Sequence, residues 1–212
     1  MQMIDLTHLI VEDMPVYPGT EQPVLDIANT LDKDGFVEKK MIMYSHTGTH
    51  IDAPYHLLEE GMTLDSYSID QFLGKAVLID VETIENQHIE LIHILPYKDI
   101  IEKSDFVIIK TGWSKYWGSD DYFKDFPYLT EECAMWLSNI RLKGIGLDTI
   151  SIDPVNTDEL LNHKIFMRQE IVIIENLCNL EQIWKEIFYL SVFPLKIQCS
   201  DGSPVRAVAI MD

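Results

Sequence analysis

Basic residues are scarce: 16 Lys and Arg stand against 35 Asp and Glu in 212 residues, a formal charge of −19 with histidine neutral. Nucleic-acid binders need clustered cations to displace counterions from phosphate, so nucleic acid is not an expected partner. Cysteine is also sparse. Cys133, Cys178 and Cys199 lie far apart and in no CxxC spacing, which argues against a disulfide framework or a thiolate zinc site and suits a reducing compartment. No window approaches the roughly 18 uninterrupted apolar residues of a membrane span, and no basic segment precedes a long apolar one near residue 1. The expectation is a soluble, cytoplasmic protein with no membrane partner. Internal repeats, low-complexity tracts and Ser/Gly-rich linkers are missing too, so one domain over residues 1–212 is expected.

What is present is the composition of a folded globular chain, 47% hydrophobic and 24% charged. Short apolar runs at Ala76 to Ile79, Phe106 to Ile109, Ile171 to Ile174 and Val205 to Ile210 are β-branched and bounded by Gly, Asp or Pro, which predicts strands, several buried on both faces. Between them the spacing predicts helices. One is capped by Thr130, carries acids in its first turn and runs through Ala134, Leu137 and Ile140 to a stop at Gly144; others cover Thr157 to Met167 and Glu181 to Phe188. Strands alternating with helices give an α/β or mixed α+β fold with a mixed sheet.

The acidity has a plain reading as a solvated surface, and a second in which a few carboxylates bind metal. Three of the seven histidines fall in His46-Thr47-Gly48-Thr49-His50-Ile51-Asp52-Ala53-Pro54-Tyr55-His56. His46, Gly48, His50 and Asp52 share parity, so an extended backbone sends them to one face, with Gly48 leaving space between the histidines. Pro54 ends regular pairing and lets the imidazole of His56 approach the same point. Imidazoles with a carboxylate are the ligand set expected for Zn²⁺, Mn²⁺ or Fe²⁺.

A second locus lies downstream. Glu175 ends the apolar run at Ile174, where a carboxylate is costly unless paired or bound to metal; it reads either as a ligand or as an ordinary strand-end acid. His163 sits late in the predicted 157–167 helix and reads either as a ligand or as a solvent-facing residue. Asp148 and Asp153 would orient ligand imidazoles or cap turns. The loop-like stretch Thr111 to Tyr128 holds Trp113, Tyr116, Trp117, Tyr122, Phe123 and Tyr128, an aromatic wall over a site or a packing surface for core or oligomer.

The segment His46-Thr-Gly-Thr-His50-Ile-Asp52-Ala-Pro54-Tyr-His56 resembles the HxGTHxDxPxH signature of the cyclase family of metal-dependent hydrolases, which includes bacterial kynurenine formamidase and isatin hydrolase. The resemblance extends through Pro15-Val-Tyr-Pro-Gly19, Gly144-Ile-Gly-Leu-Asp148, Ser151-Ile-Asp153, the His163 and Glu175 pair, and Asp201-Gly-Ser-Pro-Val-Arg206. It implies a swivelling β/β/α-type domain, a homodimer or homotetramer, and one or two divalent ions per chain, Zn²⁺ first and Mn²⁺ second. Residue by residue it implies that His46, His50 and Asp52 hold one metal, that His163 and Glu175 complete a second position, that Asp52 and Glu175 can bridge, and that His56 donates and accepts the proton. Tyr17 stands where bacterial kynurenine formamidases carry a substrate-contacting Trp, and Thr20 where many members carry an acid.

The implied activity is hydrolysis of a carbon–nitrogen bond in a small amide, foremost N-formylkynurenine to kynurenine and formate. An isatin-type cyclic amide is the alternative substrate, and a non-catalytic metal- or ligand-binding protein the alternative class. A nicotinamide enzyme is disfavoured, since Gly144-Ile-Gly-Leu-Asp148 has no third glycine at dinucleotide-motif spacing.

Overall fold

The computed structural model describes residues 1–84 and 86–211. Its strands are β1 (Gln2–Asp5), β2 (Val24–Asn29), β3 (Glu38–Ile42), β4 (His50–Asp52), β5 (Leu73–Asp80), β6 (His88–Ile89), β7 (Phe106–Lys110), β8 (Tyr128–Leu129), β9 (Gly144–Leu147), β10 (Val172–Glu175), β11 (Ile187–Ser191), β12 (Gly202–Pro204) and β13 (Val208–Met211). Its helices are α1 (Leu31–Asp34), α2 (Leu91–Ile94), α3 (Lys98–Ile101), α4 (Glu131–Ser138) and α5 (Leu161–Met167). Nine strands form one curled sheet in the order β1-β13-β11-β5-β7-β9-β10-β4-β12. The central β5, β7, β9 and β10 run parallel, and the flanking strands pair antiparallel. The fold is therefore mixed α+β, as expected.

Alternation across the pleat explains the two-sided burial of the central strands. Phe106 and Ile108 of β7 enter a core on one face with Ile51, Ile174, Phe188 and Ala209; Val107 and Ile109 enter the core on the other with Ile145, Ile173 and the apolar sides of α4 and α5. Both faces being dry, the strands read as unbroken Val/Ile runs. Thr130 caps α4 by accepting the Cys133 N–H at 3.3 Å.

Four expected elements differ. The Glu181 to Phe188 helix is instead a short turn at Leu180–Gln182 followed by β11. There Phe188 and Leu190 are buried while Ile187 and Tyr189 face out, a period of two that overrides the helical spacing before it. α4 ends at Ser138, and Gly144 opens β9, so it is no helix stop. The 157–167 helix begins only at Leu161, because Leu160 adopts a left-handed φ of 47°. The last run pairs from Val208; Val205 makes a separate bridge to Pro194, and the Ala207 carbonyl accepts the Leu6 N–H. Among the described residues, no helix is long and apolar enough to cross a membrane.

Candidate metal centre

β4 lies between β10 and β12, and the register sets the site. His50 is paired with Glu175 across one ladder, and Asp52 with Gly202 across the other. Directly opposed residues share a face, so His50, Asp52 and Glu175 emerge together, on the side of the sheet that carries α5. His163 reaches them from α5 and is 4% exposed, so it does not face solvent; Glu175 is 5% exposed and accepts the Ile152 N–H at 3.0 Å through Oε1.

His46 arrives differently from the expectation. β4 begins at His50, and Gly48 turns the chain with φ +65°, so alternation does not extend back to His46. That conformation favours glycine, and the site-facing room assigned to Gly48 is not there: a Cβ would meet Met14 Cε at 3.2 Å. The turn still delivers His46, whose Nδ1 lies 2.7 Å from Asp52 Oδ1.

The donor atoms converge. His46, His50 and Asp52 offer ligand atoms within 4.8 Å of one another, as do Asp52, His163 and Glu175. Each buried imidazole is oriented through its other nitrogen. His50 Nδ1 lies 2.8 Å from the Gly48 carbonyl, leaving Nε2 3.1 Å from Asp52 Oδ1 and 3.6 Å from Glu175 Oε2. His163 Nδ1 lies 2.7 Å from Asp153 Oδ2, leaving Nε2 3.3 Å from Glu175 Oε1. Asp153 thus orients the His163 imidazole, whereas Asp148 takes the Thr111 N–H and O–H at 2.8 and 2.7 Å and serves the turn after β7.

The field favours positive charge. Burial opposes charge on His46, yet Asp52 and Asp201 raise its pKa to about 10; burial likewise opposes charge on His163, but Asp153, Asp52 and Glu175 hold its pKa well above the usual value. Burial alone would raise the Asp52 pKa, and His46, His50 and His163 overcome it and hold the carboxyl well below its ordinary range. Two carboxylates within 4.8 Å repel by about 3.5 kcal/mol at an effective dielectric of about 20. This donor set, carboxylate and imidazole with excess negative charge, fits a divalent cation.

His56 follows Pro54 in a 3₁₀ turn and is half-buried, its ring 4.0 Å from that of His46. Burial lowers its pKa; Asp52 opposes that, while His46 and His163 add to it. Asp201 joins the site from the closing Asp-Gly-Ser-Pro segment, where no local spacing marks it as a site residue. Its Oδ2 stands 3.0 Å from His46 Nε2 and 3.7 Å from His56 Nδ1.

An open pocket of about 320 Å³ covers the cluster, lined by Tyr17, His56, Ser151, Thr157, Asp158 and Leu160 beside the histidines and acids. Tyr17 donates its hydroxyl to the Val155 carbonyl at 3.3 Å. The aromatic segment packs as a satellite core around Tyr122, Phe126 and Ile150, and Tyr17 joins its edge. Tyr122 ties that core to the site by donating to Asn176 Oδ1 at 2.7 Å.

The model of the Cyclase family matches residues 4–154. The chain belongs to this family. It is 30% identical to kynurenine formamidase of Bacillus mycoides, over 98% of this chain and 96% of the relative. Its fold superposes on isatin hydrolase A of Labrenzia aggregata with a TM-score of 0.90 at 24% identity, covering 100% and 94% of the two chains. A predicted metal-dependent hydrolase of Bacillus stearothermophilus matches with a TM-score of 0.82 at 28% identity, over 98% and 97%. The chain is accordingly a hydrolase of the metal-dependent cyclase family.

Proposed function

We infer that the chain hydrolyses the C–N bond of an aryl formamide, N-formylkynurenine being the first substrate to test, and releases formate and the aromatic amine. The observation that carries this reading is the convergence of three imidazoles and two buried carboxylates beside the imidazole of His56, at the floor of a pocket walled by Tyr17. Its size is near the lower end of ligand pockets, about 300 Å³, which suits a single aromatic ring and its side chain.

His46, His50 and Asp52 would hold one ion, and His163 and Glu175 would complete a second position, with Asp52 and Glu175 placed to bridge. A bound Zn²⁺ or Mn²⁺ supplies polarisation of the amide carbonyl and lowers the pKa of water from 15.7 to about 7. His56 takes one proton from the attacking water and returns it to the leaving nitrogen; the C–O bond forms, the C–N bond breaks, and no other reactant is consumed. An imidazole suits both transfers, its ordinary pKa being about 6.5. Asp201 Oδ2, 3.7 Å from His56 Nδ1, is beyond hydrogen-bond range but close enough for its charge to favour the protonated ring. The Tyr17 ring supplies an aromatic face to the substrate.

The test is to strip the protein with chelator, restore Zn²⁺ or Mn²⁺, and measure bound metal together with hydrolysis of N-formylkynurenine and of isatin. The expected result is stoichiometric metal, metal-dependent cleavage of the formamide, and His56→Ala retaining metal while losing roughly 100- to 10,000-fold in turnover. Full activity after complete metal removal overturns the hydrolytic mechanism, and isatin as the better substrate replaces the formamide with a cyclic amide. Stoichiometric metal with every amide inert favours the binding-protein reading.

A further inference from the structure

A second crevice, of about 500 Å³, opens beyond the carboxyl ends of β5, β7 and β9 and shares no lining residue with the pocket over the metal cluster. In sheets with parallel strands, that edge is where ligands bind. Its floor is Asp148, 1% exposed, immediately after β9. Asp148 Oδ1 is satisfied by both donors of Thr111, but Oδ2, fully buried, has no hydrogen-bond partner. Across the crevice His8 Nε2 is likewise buried and unpartnered, while the His8 ring is stacked on Trp117 at 3.9 Å and 6°. Glu82 and Glu181 stand at the rim.

We propose that this crevice is a second ligand site that takes a small organic cation, a primary ammonium or amidinium group, whose N–H donors pair with Asp148 Oδ2 and with His8 Nε2. The charges decide the class. Three carboxylates face two lysines; Lys110 is held by Asp80 and Glu82 at 2.8 and 3.0 Å, and Lys115 lies over the Tyr116 ring at 5.1 Å. Among the described residues, no hydrogen-bond partner reaches Asp148 Oδ2. Burial raises the Asp148 pKa against the opposing Thr111 donors and Ser114 amide, which disfavours a bare carboxylate there; a cation at Oδ2 would supply the hydrogen-bond partner that this oxygen lacks. Burial holds the His8 pKa down to about 4, which keeps a lone pair on its ring at neutral pH. A naked metal ion fits less well. Among the described residues, the groupings of three or more metal-binding side chains all lie in the centre around Asp52, and none includes Asp148.

The probe is benzylammonium chloride, titrated calorimetrically into zinc-loaded protein, with benzyl alcohol as its neutral counterpart. One-to-one binding of the ammonium is expected, at least tenfold tighter than the alcohol. D148N keeps an acceptor for Thr111 but presents an amide N–H₂ to the crevice, and should weaken the ammonium at least tenfold. H8F preserves the stack on Trp117 and removes Nε2; it should weaken binding severalfold and decides the question if D148N fails to fold. The proposal is overturned by equal binding of the alcohol, by wild-type affinity in the variants, or by no binding at 50-fold molar excess over a millimolar protein sample. Equal competition by magnesium chloride would assign the crevice to an inorganic cation and overturn it as well.

Discussion

Gly202→Ala disturbs the candidate metal centre without removing a ligand atom. Gly202 sits on β12 opposite Asp52, and a Cβ at this position would lie 2.7 Å from His46 Cε1 and 2.8 Å from Nε2. Moving the ring to the 3.4 Å at which ordinary contact begins requires about 0.7 Å. Such a displacement would strain or break the 2.7 Å approach to Asp52 and the 3.0 Å approach to Asp201. Overpacking costs about 1–3 kcal/mol in a closed core; the His46 side chain is 21% exposed and can swing outward, so the lower end, about 1 kcal/mol, applies to global stability. The effect on metal should be larger. Misplacing a ligand by this much is comparable to losing an orienting contact, which costs about 10- to 100-fold in affinity. A chelator-competition titration measures that loss, alongside urea unfolding of the stripped protein. An alanine variant with wild-type metal affinity and turnover would refute the assignment of His46 as a ligand.

Two further changes test neighbouring contacts. Asp153→Asn removes the carboxylate that accepts from His163 Nδ1 and its backbone N–H at 2.7 and 3.0 Å; metal affinity should fall about 10- to 100-fold, and an unchanged chelator titration would contradict an orienting role. His8 carries an acid-stability signature. Its folded pKa is about 4 against an ordinary 6.5, because burial disfavours the charged ring, so the unfolded chain binds the proton first. Stability from this group is complete above about pH 6.5 and is lost progressively as pH falls toward 4. The full shift corresponds to about 3 kcal/mol, and partial solvent exposure reduces this to about 1–2 kcal/mol. Urea unfolding at pH 7.5 and 5 should show a smaller acid loss for His8→Phe than for wild type; parallel losses would show that His8 is not buried neutral.

Local pattern made the candidate metal-binding residues legible: the spacing of His46, His50 and Asp52 and the acid closing the Ile171–Ile174 run need no long-range information. What could not be read locally was the ladder. Glu175 faces His50 only because β4 enters antiparallel beside β10, and Asp201 reaches His46 across 155 residues only because β12 closes the other side of β4. The error at Glu181 to Phe188 has the same origin. Helical spacing at Ile183, Trp184 and Ile187 competes with the alternation of Ile187 to Ser191, and pairing with both β5 and β13 settles it as strand. His46 converged for a reason other than the expected one. Parity pointed to a continuous strand, whereas a left-handed turn at Gly48 supplies the geometry.

The excess of acid has two distinct meanings. Most carboxylates are solvated and speak only to solubility, but Asp52, Asp148, Asp153 and Glu175 are at most 5% exposed. Asp153 is matched internally by the side-chain and backbone donors of His163. Asp52 and Glu175 share imidazoles whose second nitrogens are oriented by acceptors, so the negative charge between them exceeds what neutral ligands can balance. A bound cation would offset that excess and take the place of the proton that the surrounding carboxylates favour on His163. Asp148 lies at the carboxyl end of the same parallel strands with no imidazole near enough to share its second oxygen. The sheet edge therefore holds two places where buried negative charge outruns the protein's own donors, one built from metal-binding atoms and one not, and the difference in donor chemistry assigns a different kind of cation to each.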